Sequence, residues 1–309
     1  MQKITKQELE SIDIEPGKLK RFLRKAYWLF SVYIFPQHDA SILTRNGRLM
    51  FNSKDKTTGR LLHVYRNHEY IEMEETVQLL REKAIIDQDK DGVVVDVGGY
   101  IGMSSTGFLL NDLFEKSIAF EPSPENFRLL SANLDLNNLE DRMSAFNIAL
   151  SDEVGTLEFE LSNKNYGDHR IRKSKSKGSY GEDDREVIQI KADTFDTFIE
   201  EHPEIAKEKI KLIWMDIQGH EGRFLAGARN FLTEYKSIPV VMEFWPYALE
   251  RSGVSKKDFL ATVTALYKKF YIMSELDSGV QDILTLESHY DEHLNNSNSG
   301  SGLNIILFN

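Results

Sequence analysis

The amino-acid sequence predicts an α/β fold in which a mostly parallel sheet is covered by helices on both faces. Val93–Val95 contributes three consecutive valines without polar alternation, which is typical of a parallel strand buried on both sides. Beyond this run, apolar strand-like segments alternate with helical patterns as far as Leu303–Phe308. Several of these strands end in an acidic residue, which indicates a ligand site along one edge of the sheet.

The first predicted element is a helix near the N-terminus. A basic stretch, Lys18–Lys25, precedes an apolar run of ten residues, Ala26–Phe35, which is too short to span a bilayer, so we expect no transmembrane segment. Apolar residues at helical spacing favour packing against the rest of the chain or against a second subunit, as in a homodimer through this helix. Contact with a membrane interface is the alternative. The spaced residues are Leu19, Phe22, Leu23, Ala26, Phe30 and Tyr33.

A hairpin and a second helix follow. Asn46-Gly47 stands between two segments of apolar–polar alternation, which is a strong signal for a two-residue β-hairpin turn. Glu72–Ala84 carries apolar residues on one helical face. We expect residues 1–85 to form a helical and hairpin cap and residues 86–309 to form the main domain.

The central strand continues into a glycine-rich turn, within the segment VVVDVGGYIG. Asp96 ends the valine run, Gly98 and Gly102 follow, and a helix is predicted from Ile101 onward. Strand, acid, glycine turn and helix make the first half of a nucleotide-binding βαβ unit. The glycine pattern of NAD-binding proteins would also need glycines at Tyr100 and Met103, so a nicotinamide-dependent oxidoreductase is disfavoured.

The remaining elements follow the α/β alternation, with one polar excursion at residues 162–186 that we interpret as a lid over a substrate. Residues 295–302 are expected to be a flexible connector. Strands are predicted at 117–121, 143–150, 156–161, 187–191, 211–217, 239–244, 271–276 and 303–308, and helices at 124–137 and 255–270.

Polar residues at the ends of three strands point to one crevice. Glu121 ends a strand nineteen residues after Gly102, where βαβ folds place a carboxylate against ribose hydroxyls. Asn147, near the end of the next strand, has a donor and an acceptor for an adenine edge. Asp216 ends a further apolar strand. Together with Asp96, these side chains are expected to converge where open α/β sheets bind ligands.

The motifs VVVDVGGYIG, FEPSPENFRLL, NIALSD, DTFDTF and MDIQGHEGRFLAGA, in this order, resemble the FkbM family of S-adenosyl-L-methionine (SAM)-dependent methyltransferases. The resemblance implies a class I, Rossmann-like sheet of seven strands and methyl transfer from SAM, often to a hydroxyl of a sugar or another secondary metabolite, with S-adenosylhomocysteine as product. It assigns Asp96, Gly98 and Gly102 to the methionine end of SAM and Glu121 to its ribose.

Two positions depart from the family pattern. Tyr100 stands where the family usually has asparagine, which puts one contact to the cofactor carboxylate in doubt. Gln218 stands where the family usually has glutamate, and this removes one negative charge near the site.

The residue that removes a proton from the acceptor has several candidates. His169 lies in the predicted lid, His220 begins a helix after the fourth core strand, and Asp216 ends that strand. We expect no metal, because Asp216 and Glu243 supply oxygens without an obvious third ligand.

Composition narrows the partners and leaves some functional alternatives open. The 309 residues include 38 Lys plus Arg and 49 Asp plus Glu, and the net charge of −11 argues against a nucleic-acid partner. The chain has no cysteine, which excludes disulfides and thiolate sites and is compatible with the cytoplasmic location that we expect. The expected partner is a small-molecule acceptor. N-methylation and a non-catalytic SAM-binding scaffold remain alternatives.

Overall fold

The strands of the chain form one large and two smaller sheets in a computed structural model, which describes residues 4–173, 178–295 and 302–309. Six of the predicted connector residues, 296–301, lie outside this part. In chain order, the strands of the described part are β1 Asp39–Thr44, β2 Gly47–Asn52, β3 Val93–Val97, β4 Lys116–Phe120, β5 Met143–Phe146, β6 Ala149–Leu150, β7 Gly155–Leu161, β8 Arg170–Ile171, β9 Glu186–Asp193, β10 Ile210–Met215, β11 Val240–Phe244, β12 Lys269–Ile272, β13 Gln281–Asp282 and β14 Leu303–Phe308.

The helices of the same part alternate with these strands, and short 3₁₀ turns occur at 166–168, 182–184, 273–278 and 283–285. None of the described helices combines the length and the apolar character needed to cross a membrane. The α-helices are α1 Lys6–Glu10, α2 Lys18–Ile34, α3 Thr58–Tyr65, α4 Tyr70–Glu82, α5 Met103–Leu110, α6 Pro124–Asn137, α7 Phe195–Glu201, α8 Pro203–Ala206, α9 Glu221–Gly227, α10 Arg229–Glu234, α11 Pro246–Arg251, α12 Lys256–Leu266 and α13 Leu286–Asn295.

The large sheet has the strand order β13-β12-β14-β11-β10-β3-β4-β5. Its centre is parallel, whereas β14 pairs antiparallel with both β11 and β12. The predicted α/β fold of the class I methyltransferase type is therefore confirmed. The sheet contains the seven expected strands and, at its edge, the two-residue strand β13 that the sequence did not indicate.

The core lies on both faces of this sheet, as the valine run predicts. Val93, Val95 and Val97 pack in a cluster that also contains phenylalanines of α7, α9, α10 and α12. Val94 faces the other way, into a cluster that includes residues of α4 and α5. Because successive side chains of a strand point to opposite faces, an apolar run without alternation is buried only when helices cover both sides.

Several predicted boundaries shift where local geometry changes. The predicted strand 143–150 is divided into β5 and β6, because the chain leaves the large sheet and β6 pairs with β9 in a second sheet. The predicted helix 255–270 ends at Leu266, and the next strand begins earlier than expected, at Lys269. Residues 273–278, expected to be strand in part, form a 3₁₀ turn.

The polar excursion belongs to the second sheet, which has the order β6-β9-β7-β8. Arg170 and Arg185, both almost fully buried, form ion pairs with Asp168, and Arg185 also contacts Glu160 at 3.5 Å. Arg170 contacts buried Glu182 at 3.3 Å. Within the described part of the excursion, residues 162–173 and 178–186, these ion pairs fix the polar chain against the second sheet.

The predicted hairpin is present, with its two-residue turn at Arg45 and Asn46, one residue earlier than expected. The edge of β2 that faces away from β1 is bonded by helix α6 rather than by another strand. Asn133 of α6 exchanges two hydrogen bonds with the backbone of Met50, at 2.5 and 3.0 Å, and Asn137 does the same with Arg48, at 3.0 and 2.8 Å. These amides satisfy backbone groups that a free strand edge would leave open.

Helix α2 exists as predicted, but it packs by a different face from the expected one. Trp28 is buried against Phe51 and His63, and α2 lies along α3. The apolar stripe that was expected to pack against the chain is exposed, so that part of the prediction is wrong. Helical periodicity identifies residues that share a face, whereas it does not identify which face is covered.

Candidate active site

The glycine turn after β3 has a geometry that only glycine satisfies at its first position. Gly98 has φ +90°, and a β-carbon there would lie 2.0 Å from the carbonyl oxygen of Asp216. The backbone N–H groups of Gly98 and Gly99 both donate to the carbonyl of Phe120, at 2.9 and 2.8 Å. Gly102, at φ +78°, precedes α5. The turn therefore brings the ends of β3, β4 and β10 together.

Asp96, the last acid of the central strand, faces the start of α5. Its Oδ2 accepts from the backbone N–H of Ser105 at 3.1 Å and from the Ser105 hydroxyl at 2.6 Å. Burial raises the pKa of Asp96 to about 6, although the bonds from Ser105 act in the opposite direction. Asp96 thus accepts from a free donor in the first turn of α5. It also lines one of the two cavities described below.

Glu121 is held at the end of β4 by backbone donors. One carboxylate oxygen accepts from the N–H of Tyr100 and the other from the N–H of Ser123, both at 2.8 Å. Burial raises the pKa of Glu121 to about 8. Each oxygen retains a second lone pair, so the carboxylate can still accept hydroxyl donors from a ligand.

Asn147 lies beside this acid, whereas its amide does not line the cavity. Its Nδ2 donates to the carbonyls of Glu121 at 2.8 Å and of Pro122 at 3.2 Å. The neighbouring side chain Ile148 lines the cavity instead. In this geometry Asn147 braces the loop that carries Glu121, and its contact with an adenine edge stays a prediction.

Tyr100, the first departure from the family pattern, links the glycine turn to the N-terminal region. It adopts a left-handed conformation with φ +49°, and its hydroxyl donates to Oδ2 of buried Asp55. Asp55 also accepts from the N–H groups of Thr57 and Thr58, both at 3.0 Å. A side chain from the turn therefore fixes the loop that precedes α3.

Substituting Tyr100 with phenylalanine is expected to lower the free energy of unfolding by about 1–2 kcal/mol, because it removes a donor to a buried carboxylate. Urea denaturation of the wild type and of Tyr100→Phe measures this difference. The matched control is Tyr235→Phe, since Tyr235 is an exposed tyrosine. Equal stability of Tyr100→Phe and the wild type would show that the Asp55 contact contributes nothing.

Asp216 stands at the centre of the site, between two cavities. Although the side chain of Asp216 is open to solvent, desolvation by the surrounding protein, followed by the charge of Glu69, raises its pKa to about 7. Gln218, the second departure from the family pattern, donates through its amide to Asp216 at 2.7 Å and to Glu243 at 3.1 Å. A neutral donor at this position bridges two acids that a glutamate would repel.

A third carboxylate joins this pair, which the sequence did not suggest. Asp216, Glu221 and Glu243 each place one oxygen within 4.8 Å of the others. Glu221 is fully buried, and its Oε1 accepts from the N–H groups of Ile217 and Gly219, both at 3.2 Å. Glu221 is therefore a third oxygen ligand that the sequence did not indicate, and the expected absence of a metal stays a prediction.

The pKa values of the same three acids are all raised, although only Glu221 is fully buried. Burial raises the pKa of Glu221 to about 7, and burial together with the charge of Asp216 raises the pKa of Glu243 well above its usual range. Near neutral pH this cluster either shares protons or binds a cation, since three adjacent negative charges repel one another.

The two candidate histidines lie in the site, and burial favours the uncharged form of each ring. The Nδ1 of His169 accepts from the N–H of Ser162 at 2.9 Å, and burial lowers the His169 pKa to about 4. The Nε2 of His220 lies 2.9 Å from the Ser151 hydroxyl, and burial lowers the His220 pKa to about 3. Both line the cavity beside Glu121. Their low pKa values make them weaker bases than a carboxylate whose pKa is near 7.

Two cavities meet at the glycine turn, with Gly98, Tyr100, Asp216 and Gln218 in both walls. The first, which we call the Glu121 cavity, combines one buried acid with apolar walls. These walls include Phe120, Ile148, Leu150 and Phe159. The second, which we call the acidic cavity, is lined by His68 and by the acids Glu69, Asp96, Asp216 and Glu243.

These linings fit the two halves of SAM. An acid with free lone pairs among apolar and aromatic walls suits a nucleoside, whose ribose carries two hydroxyls and whose base is flat and largely apolar. A cavity with four carboxyl groups suits the positively charged sulfonium and ammonium of the methionine part. The polar groups of the two cavities thus match the ribose hydroxyls and the positive charges of SAM.

His68 and Glu69 are site residues that the sequence reasoning missed. The Nδ1 of His68 lies 3.1 Å from a Glu69 oxygen. Burial lowers the pKa of His68, but the charge and hydrogen bond of Glu69 together with the charges of Asp55 and Asp216 outweigh it, so the pKa is raised. Glu69 adopts φ +58° just before α4. No periodic pattern marks these two residues. They lie in the short segment between α3 and α4, whose aromatic residues are the one feature of the sequence that could have drawn attention to it.

The buried acids make stability depend on pH. Between about pH 6.5 and about pH 8, unfolded carboxyl groups are ionised, while folded Glu121, Asp216 and Glu221 still bind protons. The folded state then holds more protons than the unfolded state, so the free energy of unfolding falls as pH rises, by about 1–2 kcal/mol, which we ascribe mainly to buried Glu121. Urea titrations across this range measure the slope. A flat or rising profile would contradict it, and Asp216→Asn should show a smaller slope.

Among solved structures, similarity extends to methyltransferases at low sequence identity. An FkbM methyltransferase from Methylobacillus flagellatus KT aligns with a TM-score of 0.40 and 15% identity, over 81% of this chain and 52% of that one. This chain thus spans about half of that protein's length. Geranyl diphosphate C-methyltransferase from Streptomyces coelicolor A3(2), solved with Mg²⁺, geranyl diphosphate and S-adenosyl-L-homocysteine, aligns with a TM-score of 0.35 and 9% identity, over 94% and 97%.

Sequence comparison gives the closer relationship. The chain is 28% identical over 171 residues to the 2-O-methyltransferase NoeI of Sinorhizobium fredii (strain NBRC 101917 / NGR234), and the match covers 53% of this chain and 68% of that protein. Residues 96–266, more than half of the chain, match the sequence model of the methyltransferase FkbM domain. The resemblance read from the motifs is confirmed, and the chain belongs to the FkbM family of methyltransferases.

Proposed function

We propose that this methyltransferase transfers the methyl group of SAM to a hydroxyl group of a sugar or another small metabolite. The observation that carries the proposal is the position of Asp216, where the Glu121 cavity and the acidic cavity meet, with a pKa of about 7. The relative NoeI, a 2-O-methyltransferase, supports oxygen as the acceptor atom.

In this proposal the two cavities divide the donor between them. Glu121 accepts from the ribose hydroxyls, the apolar walls around Ile148 contact the base, and Asp96, Gly98 and Gly102 position the methionine end. SAM supplies an electrophilic methyl group on a sulfonium. The chain itself contributes by holding donor and acceptor in line and at contact distance, which lowers the entropic part of the barrier.

The acceptor hydroxyl must lose its proton as the carbon–oxygen bond forms. We assign this proton to the carboxylate of Asp216, because its pKa near 7 lets it be ionised at neutral pH and still bind a proton well. Gln218 holds the carboxylate in place through its amide. His169 and His220 then shape the wall, and their neutral rings avoid repulsion of a cationic donor.

Two segments outside the sheet are proposed to cover the site. We propose that residues 1–85 cap the site, since the Tyr100–Asp55 contact ties them to the glycine turn. Residues 162–186 act as the lid, since Tyr166 and His169 line the Glu121 cavity and Arg170 stacks 4.7 Å from the Trp245 ring. The acceptor is a small molecule, and the protein acts in the cytoplasm.

Calorimetry with SAM and with NAD, followed by turnover assays, tests the proposal. We expect SAM to bind and NAD not to bind, and a panel of sugars and hydroxylated metabolites to include an acceptor that yields S-adenosylhomocysteine. Amine analogues in the same panel test N-methylation. Binding of SAM without turnover on any acceptor would favour a non-catalytic scaffold, and binding of NAD alone would contradict the assignment.

A further inference from the structure

Helix α2 carries an apolar surface that nothing in the described part of the chain covers. Nine large hydrophobic side chains between Leu19 and Phe35 are 52–72% exposed, and they make up most of such residues in the described chain. At 100° per residue, the stripe containing Leu19, Leu23 and Phe30 lies opposite Trp28, the side chain that packs on the protein. The helix therefore has a second apolar face directed outward.

Positive charges border this stripe. Helix α2 contains five lysines or arginines and no acidic residue, in a chain whose net charge is −11. Lys18 and Lys25 lie on one side of the stripe and form no ion pair within the described residues, and Lys20 lies on the other side, paired with Asp13 at 2.7 Å. Beyond the helix, Lys56 lies 5.9 Å from the ring of exposed Tyr33.

We propose that α2 is a docking surface for a membrane that contains anionic lipids, with the helix lying in the plane of the interface. Apolar and aromatic residues on one face with lysines along its borders are the pattern of helices that insert their apolar side between lipid headgroups. The helix has 17 residues and is about 25 Å long when it lies flat. The lysines then face lipid phosphates, which complement their charge.

A second copy of the chain is the competing partner, and the charges argue against it. In a symmetric pair, the basic first half of α2 would face another α2, which offers no acidic residue to its lysines. The stripe itself would be covered, whereas the cations at its borders would be brought closer together. An anionic lipid surface satisfies both features at once.

The docking surface on α2 is connected to the candidate active site through helix α3. Helix α3 packs along α2, and Thr57 and Thr58 at the start of α3 line the acidic cavity. Asp55, which precedes them, accepts from Tyr100 in the glycine turn. A membrane bound by α2 would therefore be separated from the proposed methyl-transfer site by α3.

Vesicle flotation with the full chain tests the proposal. We expect binding to vesicles of phosphatidylcholine with phosphatidylglycerol, weaker binding when salt is added, and much weaker binding to vesicles of phosphatidylcholine alone. Leu23→Gln and Phe30→Gln should each weaken binding about tenfold or more. Lys18→Gln and Lys25→Gln should each weaken it about fivefold on anionic vesicles only.

Leu284→Gln is the matched control, because Leu284 is a leucine at least as exposed as Leu23 and far from α2 in sequence, and this variant should bind vesicles as the wild type does. Urea titration shows that each variant is folded. Equal losses from Leu284→Gln and Leu23→Gln would overturn the proposal by showing nonspecific adsorption. Absence of vesicle binding would also overturn it, and a dimer by light scattering that Leu23→Gln dissociates would then assign the stripe to a second copy. Calorimetry with SAM is independent of these outcomes.

Discussion

Asp216→Asn is expected to lower kcat about 10²–10⁴-fold, because asparagine fills the same space but cannot take the proton of the acceptor hydroxyl. The amide oxygen can still accept from Gln218, so the local geometry is kept. The SAM dissociation constant should change by less than about tenfold, since the proposed ribose and base contacts, Glu121 and Ile148, follow β4 and β5. Single-turnover assays with an acceptor from the turnover screen, and calorimetry with SAM, separate the two effects.

The pH profile adds a second signature of this base. In the wild type, kcat should rise with pH through about 7, as Asp216 ionises, and Asp216→Asn should lose this rise. Asp135→Asn is the control, because Asp135 is an exposed aspartate on α6 outside both cavities. If Asp216→Asn kept full kcat while His169→Ala lost it, the base would be His169 and the assignment to Asp216 would be wrong.

Much of the fold could be predicted because its strands have a pattern set by burial. The valine run of β3 is apolar on both faces, and the residues of β14 were predicted with their observed bounds, since both strands lie inside the sheet. The edge strand β13 has two residues, too few for any periodicity to indicate it. Strand edges and 3₁₀ turns depend on neighbours that a local pattern does not specify.

The site could be predicted where its residues follow strands, and could not where it depends on contacts across the chain. Glu121 and Asp216 end apolar strands, so topology brings them to one edge. The hydroxyl of Tyr100 meets Asp55 through tertiary packing over 45 positions of sequence. Glu221 follows His220 at the start of a helix, and its approach to Glu243 depends on how the turn after β10 folds back, which no local pattern specifies.

Exposure of α2 escaped prediction for a related reason. Its sequence has apolar residues on two sides, Trp28 on one and the stripe with Leu23 and Phe30 on the other. The larger stripe was expected to be the packed one. The single indole instead fits between Phe51 and His63, so one large aromatic side chain forms the contact with the domain.

Glu121→Ala is expected to weaken SAM binding about 10- to 150-fold. This corresponds to about 1.5–3 kcal/mol, the range for hydrogen bonds to a charged group. The substitution removes the acceptor of the ribose hydroxyls and leaves the N–H groups of Tyr100 and Ser123 without their partner. Calorimetry measures the change, and Glu125→Gln is the control, because Glu125 is an exposed glutamate on the adjacent helix that lines neither cavity.

The same experiment at several pH values distinguishes an ionised acceptor from a structural acid. Because the pKa of Glu121 is about 8 in the free protein, binding that needs its ionised form should tighten as pH rises toward about 8. Glu121→Gln should bind weakly with less of this dependence, since an amide does not ionise and its N–H₂ group opposes one of the two backbone donors. Unchanged SAM affinity in both variants would show that Glu121 only holds the glycine turn and that the ribose lies elsewhere.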